Sequence, residues 1–589
     1  LTDARLNKIR DEWMARWPDA LALWSRFTKL REPKWCFDSK QEQAEGLTSS
    51  FAMIRLADTS IVISLTQIQD NHLEQFPLEI LGHEIGHHVY CPADLSDQGR
   101  MIARMRRALP TKEQHAPFIA NIYADLLIND RLQRGAGLKM SEVYRALGGE
   151  TEDRFWTFFM RICEILWSLQ RGSLAKGKID AALEGDSQLG ARLVRAYAKD
   201  WMKGAGRFAA LCLTYLLEDD GKQVQQILKG WLDTIKSGSG GMPDGLVEID
   251  PDELTDSVHP AYDEEFSGVG EDEAEDTKSK GSTPAEATAN KASAGQCREP
   301  FEYGDILRGL GVNLSSQELA IRYYRERAVP HLVKFPTREI PESKEPLVES
   351  LDLWDVGSPM EDVDWIESVM VSPQVIPGYT TVQRTFGTSS GSLPEREAVD
   401  LDLYVDCSGS MPNPQYSTSY LTLAGAIITL SALRVGSRVK ATLWSGKQDF
   451  KTTGDFTRDE HAIFEILTGY IGGATAFPIH LLRDTFQERK PSDRAVHILV
   501  ISDDGVDTMF DKDERGNSGW EVSKMALEHA RSGGTMVLNL WSDVQQNKTL
   551  MKAMEQGWSI HRVQTWEQLV DFARAFSKAN YGSDTNRRK

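Results

Sequence analysis

The chain has 589 residues, of which 41% are hydrophobic, and a formal charge of -20. This is enough apolar material for several cores, so a wholly disordered polymer is excluded, and the length implies roughly three or four domains. The negative charge sets nucleic acid aside as a main partner, and no run approaches the roughly 18 apolar residues of a membrane span.

In chain order, residues 1–35 read as helical, with Trp13, Trp17, Leu21 and Trp24 at the spacing of a packed face. They contain no apolar core of an export signal. Ser60–Ile68 reads as a strand that could hold an extended substrate by edge pairing. Phe76–Tyr90 reads as a helix with Pro77 in its first turn, and a second helix runs from about Pro117 to Gln133. Residues 152–236 read as almost entirely helical, with Trp156, Trp167, Trp201 and Trp231 as core.

Between Ser237 and Pro300 there are sixteen acidic and four basic residues and no apolar periodicity. This composition predicts an acidic disordered linker, read first as a solvated tether with no partner and alternatively as a carrier of a short docking motif around Val258–Phe266. Residues 301–395 form a connecting segment without a chemical motif. Beyond it, strands are expected at Val399–Val405, Val439–Leu443, Val496–Ile501 and Met536–Leu540. They alternate with helices at Tyr420–Leu433, Ala462–Tyr470, Ile479–Gln487 and Glu521–Arg531. Such alternation predicts a doubly wound, Rossmann-like α/β domain over residues 396–580. The whole chain is therefore expected to be multidomain: a mainly α N-terminal domain over 1–150, a helical extension over 151–236, the linker, the connecting segment and the α/β domain.

His83-Glu84-Ile85-Gly86-His87 is an HExxH motif. Histidines at i and i+4 share one helical face and can grip one ion, and neutral imidazole suits zinc. Glu84, between them, is placed to take a proton from a metal-activated water. Tyr90 and Ala93 occupy the positions where a metzincin carries Gly and a third His, so the third ligand lies elsewhere. In the next helix Asn121, Asp125 and Asn129 form a polar stripe. Asp125 is the best ligand, because a carboxylate binds zinc and a neutral amide does so poorly. Asn121, Asn129 and Asp130 are candidates for orienting the histidines. His88 points at the wrong angle to share the ion, Cys91 reads as a buried thiol, and Tyr123 is a candidate oxyanion stabiliser by proximity alone.

LGHEIGHH followed by NIYADLLIND resembles the bacterial metallopeptidase domain found fused to a von Willebrand factor A-type domain. The resemblance implies a zincin-like fold over residues 1–150 and a zinc peptidase activity. Small gluzincin-like peptidases are similar, but their acidic third ligand would fall at Pro117, which cannot bind; this favours Asp125. The stretch LDLYVDCSGSM resembles the metal-ion-dependent adhesion site of A-type domains, with Asp406, Ser408 and Ser410. GGATAFP adds Thr475, and HILVISDDG adds Asp503, with Asp504 as the alternative. By that resemblance Ser408, Ser410 and Thr475 coordinate Mg²⁺ directly, Asp406 and Asp503 act partly through water, and a partner's acidic group fills the open position. Bacterial proteins of this architecture work beside MoxR-type AAA+ ATPases, which makes such an ATPase the implied partner.

The alternative is a non-catalytic scaffold or substrate adaptor for an AAA+ ATPase, with a structural or vestigial zinc site. Adhesion at a cell surface fits the A-type domain alone. Gly172–Lys178 nearly spells a phosphate loop, but Ile179 replaces the hydroxyl residue and the flanking ICEILWSLQ reads as helix, so ATP binding is rejected. Arg100, Arg104, Arg106 and Arg107 read as a solvated helix face, or as a holder of acidic substrate or of the acidic linker. Six cysteines without a CxxC pair, and no export signal, predict a reduced, cytoplasmic setting.

Overall fold

Trp13, Trp17, Ala20 and Trp24 are all buried, which fixes how the N-terminal helix α1 (Thr2–Ala22) lies on its neighbours. The indole of Trp13 donates to the Glu74 carbonyl at 3.1 Å and that of Trp24 to the Gly82 carbonyl at 2.8 Å. The structure, a computed structural model, describes residues 2–47, 50–147, 153–218, 242–254, 259–263, 296–332, 337–394, 398–540 and 542–581. They divide into two units, Leu1–Leu319 and Ala320–Lys589. The division falls inside the connecting segment read from the sequence: the helix Pro300–Gly309 belongs to the first unit.

In the first unit a three-stranded sheet runs in the order β1 (Lys34–Cys36), β3 (Ser60–Ser64), β2 (Ala52–Arg55), with helix α2 (Ser39–Glu45) between β1 and β2 in the chain. The strand expected to reach Ile68 stops at Ser64, whose hydroxyl accepts from the Gln67 amide at 3.1 Å and caps the helix α3, Leu65–Asp70. β3 pairs with β1 on one side and β2 on the other, and all five of its residues are buried. It has no open edge, so the expectation that Ser60–Ile68 pairs with an extended substrate is overturned.

Helix α4 (Pro77–Val89) carries the HExxH motif, and α6 (Ala116–Asp130) the polar stripe. Their close approach depends on Gly86. A Cβ there would stand 2.6 Å from Trp24 Cζ2 and 2.7 Å from Ile128 Cγ2. Helices α5 (Leu95–Ala108), α7 (Met140–Leu147), α8 (Arg154–Leu166), α9 (Ala181–Ala196) and α10 (Trp201–Glu218) complete the helical body. Trp156 and Trp167 are buried and Trp201 is half-buried; Trp231 lies outside the described residues. The near-phosphate loop follows α8. Its Leu174 and Ala175 amides donate to the buried Glu164 carboxylate at 2.7 and 2.9 Å, and Gly172 donates to the other oxygen at 3.1 Å. The backbone donors that would cradle a phosphate already hold a carboxylate of this chain.

The acidic linker needs correction at both ends. Leu246, Val247, Glu253 and Pro260 are buried. Ile249 and Arg298 pair with Gln296 and Val247 through backbone hydrogen bonds of 2.9 Å. The acids answer arginines. Glu253 receives both terminal nitrogens of Arg298 at 2.5 Å and Nε of Arg107 at 3.2 Å. Arg104 faces Asp250 at 3.7 Å, Arg106 faces Asp305 at 2.8 Å, and Arg207 donates to Asp263 at 2.5 Å. Much of the basic face of α5 thus holds acidic residues of this chain. Of the Val258–Phe266 motif only 259–263 are described: Pro260–Tyr262 is a 3-10 turn capped by His259. Residues 264–295 lie outside the described set.

The second unit contains a six-stranded sheet in the order β11 (Trp558–Val563), β10 (Arg531–Asn539), β9 (Val496–Ser502), β6 (Asp400–Asp406), β7 (Val439–Trp444), β8 (Phe450–Thr452). All pairs are parallel except β7 with β8. Side chains alternate between two faces, as strand geometry requires. Tyr404, Val500 and Met536 share one core with Leu482 and Ala526 of the helices Ile479–Phe486 and Gly519–Ala530. Leu403 turns the other way, toward the helix Tyr420–Arg434. A further antiparallel pair, β4 (Thr337–Leu353) and β5 (Val382–Pro394), precedes this sheet. Among the described residues no helix is long and apolar enough to cross a membrane.

Candidate metal centre

Three ligand atoms converge between α4 and α6. Nε2 of His83 and Nε2 of His87 are 3.1 Å apart, and Oδ1 of Asp125 lies 3.5 and 3.4 Å from them. Donors bound tetrahedrally at about 2.0–2.1 Å stand about 3.3–3.4 Å from one another, so the triangle has the size of one face of a zinc tetrahedron. This is the one His/Cys/Asp/Glu group of ligating geometry among the described residues. The HExxH spacing places both imidazoles on one side of α4, and Asp125 meets them from the middle of the facing helix.

Each ring is held by its other nitrogen. Nδ1 of His83 is 2.7 Å from Oδ1 of Asn129, and Nδ1 of His87 is 3.2 Å from the Cys91 carbonyl. Both acceptors favour the proton on Nδ1 and leave Nε2 with its lone pair directed at the centre. Asn121 donates to Oδ2 of Asp125 at 3.4 Å, so both asparagines of the stripe hold members of the triangle. Asn129 in turn donates to the Tyr144 hydroxyl at 2.9 Å. Tyr144 was not singled out from the sequence; its signal, one tyrosine on the amphipathic α7, does not differ from that of a core aromatic.

Asp130 is placed differently from the sequence expectation. Its carboxylate is engaged by Arg134, through Nε at 2.6 Å and through Nη2, rather than by the histidines. Tyr123 donates to the Trp201 carbonyl at 3.0 Å and is no oxyanion donor. His88 faces the Ala93 carbonyl at 3.1 Å. Burial, reinforced by the Asp125 charge, pushes the Cys91 thiol well above its ordinary pKa, so it stays protonated and a poor ligand.

His83, Glu84, Asp125 and Asn129 line a small pocket, about 40 Å³ in cavity volume, walled by Phe51, Ile80, Met140, Val143, Tyr144 and Leu147. Glu84 therefore faces the same space as His83 and Asp125 of the triangle. Apolar walls around three buried donors strengthen every electrostatic interaction there.

In the second unit the oxygen-bearing residues also converge, at the carboxyl ends of β6 and β9. Ser408 and Ser410 hydroxyls are 3.3 Å apart, and Ser410 reaches Asp503 Oδ2 at 3.5 Å. Asp406 accepts from the Ser408 amide at 2.8 Å and the Ser502 hydroxyl at 2.6 Å. Burial raises its pKa despite those hydrogen bonds. The Gly409 amide donates to the Gly473 carbonyl at 3.0 Å, which brings the Thr475 loop alongside. A Cβ on Gly505 would collide with Thr475 Cγ2, so Thr475 sits against the Asp503 turn. Asp503 is half-buried in this group, whereas Asp504 is exposed.

No family model and no curated protein matches the chain. Solved structures that match include a mutant of the PilB minor pilin from Streptococcus sanguinis, at 12% identity over 34% of this chain and 70% of that one, with a TM-score of 0.24. The PilB minor pilin itself matches at 10% identity over 33% and 65%, with a TM-score of 0.23. An aerotolerance-related membrane protein from Bacteroides fragilis matches at 15% identity over 31% and 96%, with a TM-score of 0.20.

Proposed function

We propose that the first unit is a zinc-dependent peptidase and that the second is an A-type domain that docks a partner through Mg²⁺. The observation that carries the first half is the triangle of His83, His87 and Asp125, with each imidazole fixed from behind. Two neutral imidazoles and one carboxylate suit zinc, and three protein ligands leave a fourth position open. When bound, zinc supplies Lewis acidity, acidifying a water and polarising a carbonyl. Glu84 accepts the proton of the attacking water and returns it to the leaving amine. Asn129 and the Cys91 carbonyl hold the ligand rings, Asn121 steadies Asp125, and the apolar walls exclude bulk water.

In the second unit Asp406, Ser408, Ser410, Thr475 and Asp503 offer the hard oxygen donors that Mg²⁺ prefers, at the strand ends where open parallel sheets bind ligands. The resemblance named above makes a MoxR-type AAA+ ATPase the partner whose carboxylate completes the sphere.

Burial favours a second reading, a non-catalytic scaffold or adaptor with a structural metal: Glu84 and His87 are 1% and 0% exposed, and β3 has no open edge. One experiment separates the two. Purified full-length protein and its Glu84→Gln variant are loaded with one equivalent of zinc and assayed on casein and on a library of quenched fluorogenic peptides. The peptidase reading expects equal zinc content, cleavage by the wild type and none by the variant. Unaltered turnover in the variant, or a zinc-loaded wild type that cleaves nothing, defeats it.

A further inference from the structure

The loop between β4 and β5 is folded inside out. Its polar groups are used internally. The Trp354 indole donates to the Pro359 carbonyl at 3.0 Å, and the Val382 amide donates to the Ser368 hydroxyl at 2.9 Å. Asp364 caps the helix Trp365–Val371 through the Glu367 amide and pairs with Arg384 at 2.5 Å. The residue this helix buries is Ser368. Its large apolar side chains point the other way: Trp365 is 50% exposed, Ile366 74% and Met370 76%, with Val369 beside them. Val356 and Tyr379 extend the same exposed apolar character along the loop.

A helix that buries serine and presents Trp, Ile, Val and Met to solvent reverses the usual amphipathic arrangement, and apolar patches of this kind mark interaction sites. The rim identifies the occupant. Glu361 and Asp362, which line one surface groove with Trp365 and Ile366, have no ion-pair partner among the described residues, and the nearby Arg384 is already committed to Asp364. A second copy of the same acidic-rimmed patch would be repelled, as would an anionic bilayer.

We propose that the face formed by Trp365, Ile366, Val369 and Met370 docks an amphipathic, basic segment of a partner protein, with apolar anchors on the helix and lysines or arginines against Glu361 and Asp362. The surface shares no residue with the Mg²⁺ cradle, and the proposal does not depend on the peptidase reading.

The test uses the full chain and a fluorescently labelled helical peptide of leucine and lysine, with a leucine–glutamate peptide of the same pattern as control. Anisotropy is expected to show binding of the basic peptide only. Ile366→Asp/Met370→Asp is expected to weaken that binding by on the order of tenfold, although it adds two negative charges. Purely electrostatic attraction to a chain of charge -20 would strengthen instead, and that result overturns the proposal. Glu361→Lys/Asp362→Lys is expected to weaken the basic peptide and admit the acidic one; unchanged selectivity overturns the charged rim. Concentration-dependent dimerisation abolished by Ile366→Asp, or binding of uncharged phosphatidylcholine vesicles through the same residues, overturns the choice of occupant in favour of a second copy or a membrane.

Discussion

Asn129 holds Nδ1 of His83 at 2.7 Å from one helical turn beyond Asp125, so a single face of α6 supplies both a candidate ligand and the group that orients another candidate ligand. Acceptors behind metal-binding histidines commonly carry one to two orders of magnitude of affinity. Asn129→Ala is therefore expected to lower zinc affinity by about 10–100-fold in a competition titration while the protein stays folded. Asn129→Asp keeps an acceptor for Nδ1 and is expected to lose much less. Equal affinities in all three proteins would mean that the ring is fixed by packing alone.

Gly86, between the two histidines, tests whether the approach of α1 and α6 sets the geometry. Alanine in mid-helix gains about 1 kcal/mol of propensity over glycine. Against that stand contacts of 2.6 Å to Trp24 and 2.7 Å to Ile128, from buried side chains with little freedom to retreat. Overpacking of this kind costs about 1–3 kcal/mol, so the steric term wins. Gly86→Ala is expected to lower the denaturation midpoint of the first unit and weaken zinc binding. A stabilised variant with full affinity would show that α4 can shift without consequence.

The residues legible in the sequence were those whose spacing alone fixes their geometry. HExxH puts two imidazoles on one side of a helix, and the i, i+4, i+8 stripe of α6 aims Asn121, Asp125 and Asn129 together. The four strands with their intervening helices, Val399–Val405 onward, were readable because strand and helix periods differ. Contacts set by tertiary packing were not. Asp130 belongs to the same sequence run as Asp125, yet a rotation of one residue hands it to Arg134. Tyr144 and Phe51 reach the pocket from elements with no polar pattern. Ser60–Ser64 looks like any half-buried strand, and only its two partners reveal that it has no edge. Asp250 and Glu253 look like part of a solvated tether because their arginine partners, Arg104 and Arg107 on α5, lie far away in sequence.

Arg298 and Glu253 are each 1% exposed and joined by two hydrogen bonds of 2.5 Å. Removing one partner of a buried pair costs about 3–5 kcal/mol, because the other charge is left desolvated. Glu253→Gln is expected to release residues 242–254 from α5, read as rapid trypsin cleavage after Arg298 where the wild type is expected to stay intact. Unchanged protection would show that Leu246 and Val247 hold the segment without the ion pair.

Asp402, at the centre of the second unit's sheet, gives a pH dependence with a definite sign. It is fully buried on β6, accepts from Tyr404 at 3.2 Å, and its register partner on β7 is Lys440. Burial is the largest influence and raises its pKa to about 6, against the smaller opposing charges of Lys440 and Arg489. The folded state therefore retains a proton that the unfolded chain releases near pH 4. The stability this proton contributes is complete below about pH 4 and is lost as pH rises through about 6. The raised pKa corresponds to on the order of 3 kcal/mol between those limits. Asp402→Asn keeps an acceptor for Tyr404 and cannot ionise. Its stability relative to wild type, from urea unfolding of the second unit, is expected to rise by about that amount between pH 4 and pH 7. A difference that stays flat, or falls, with pH would mean that Asp402 is ionised in the fold, balanced by Lys440.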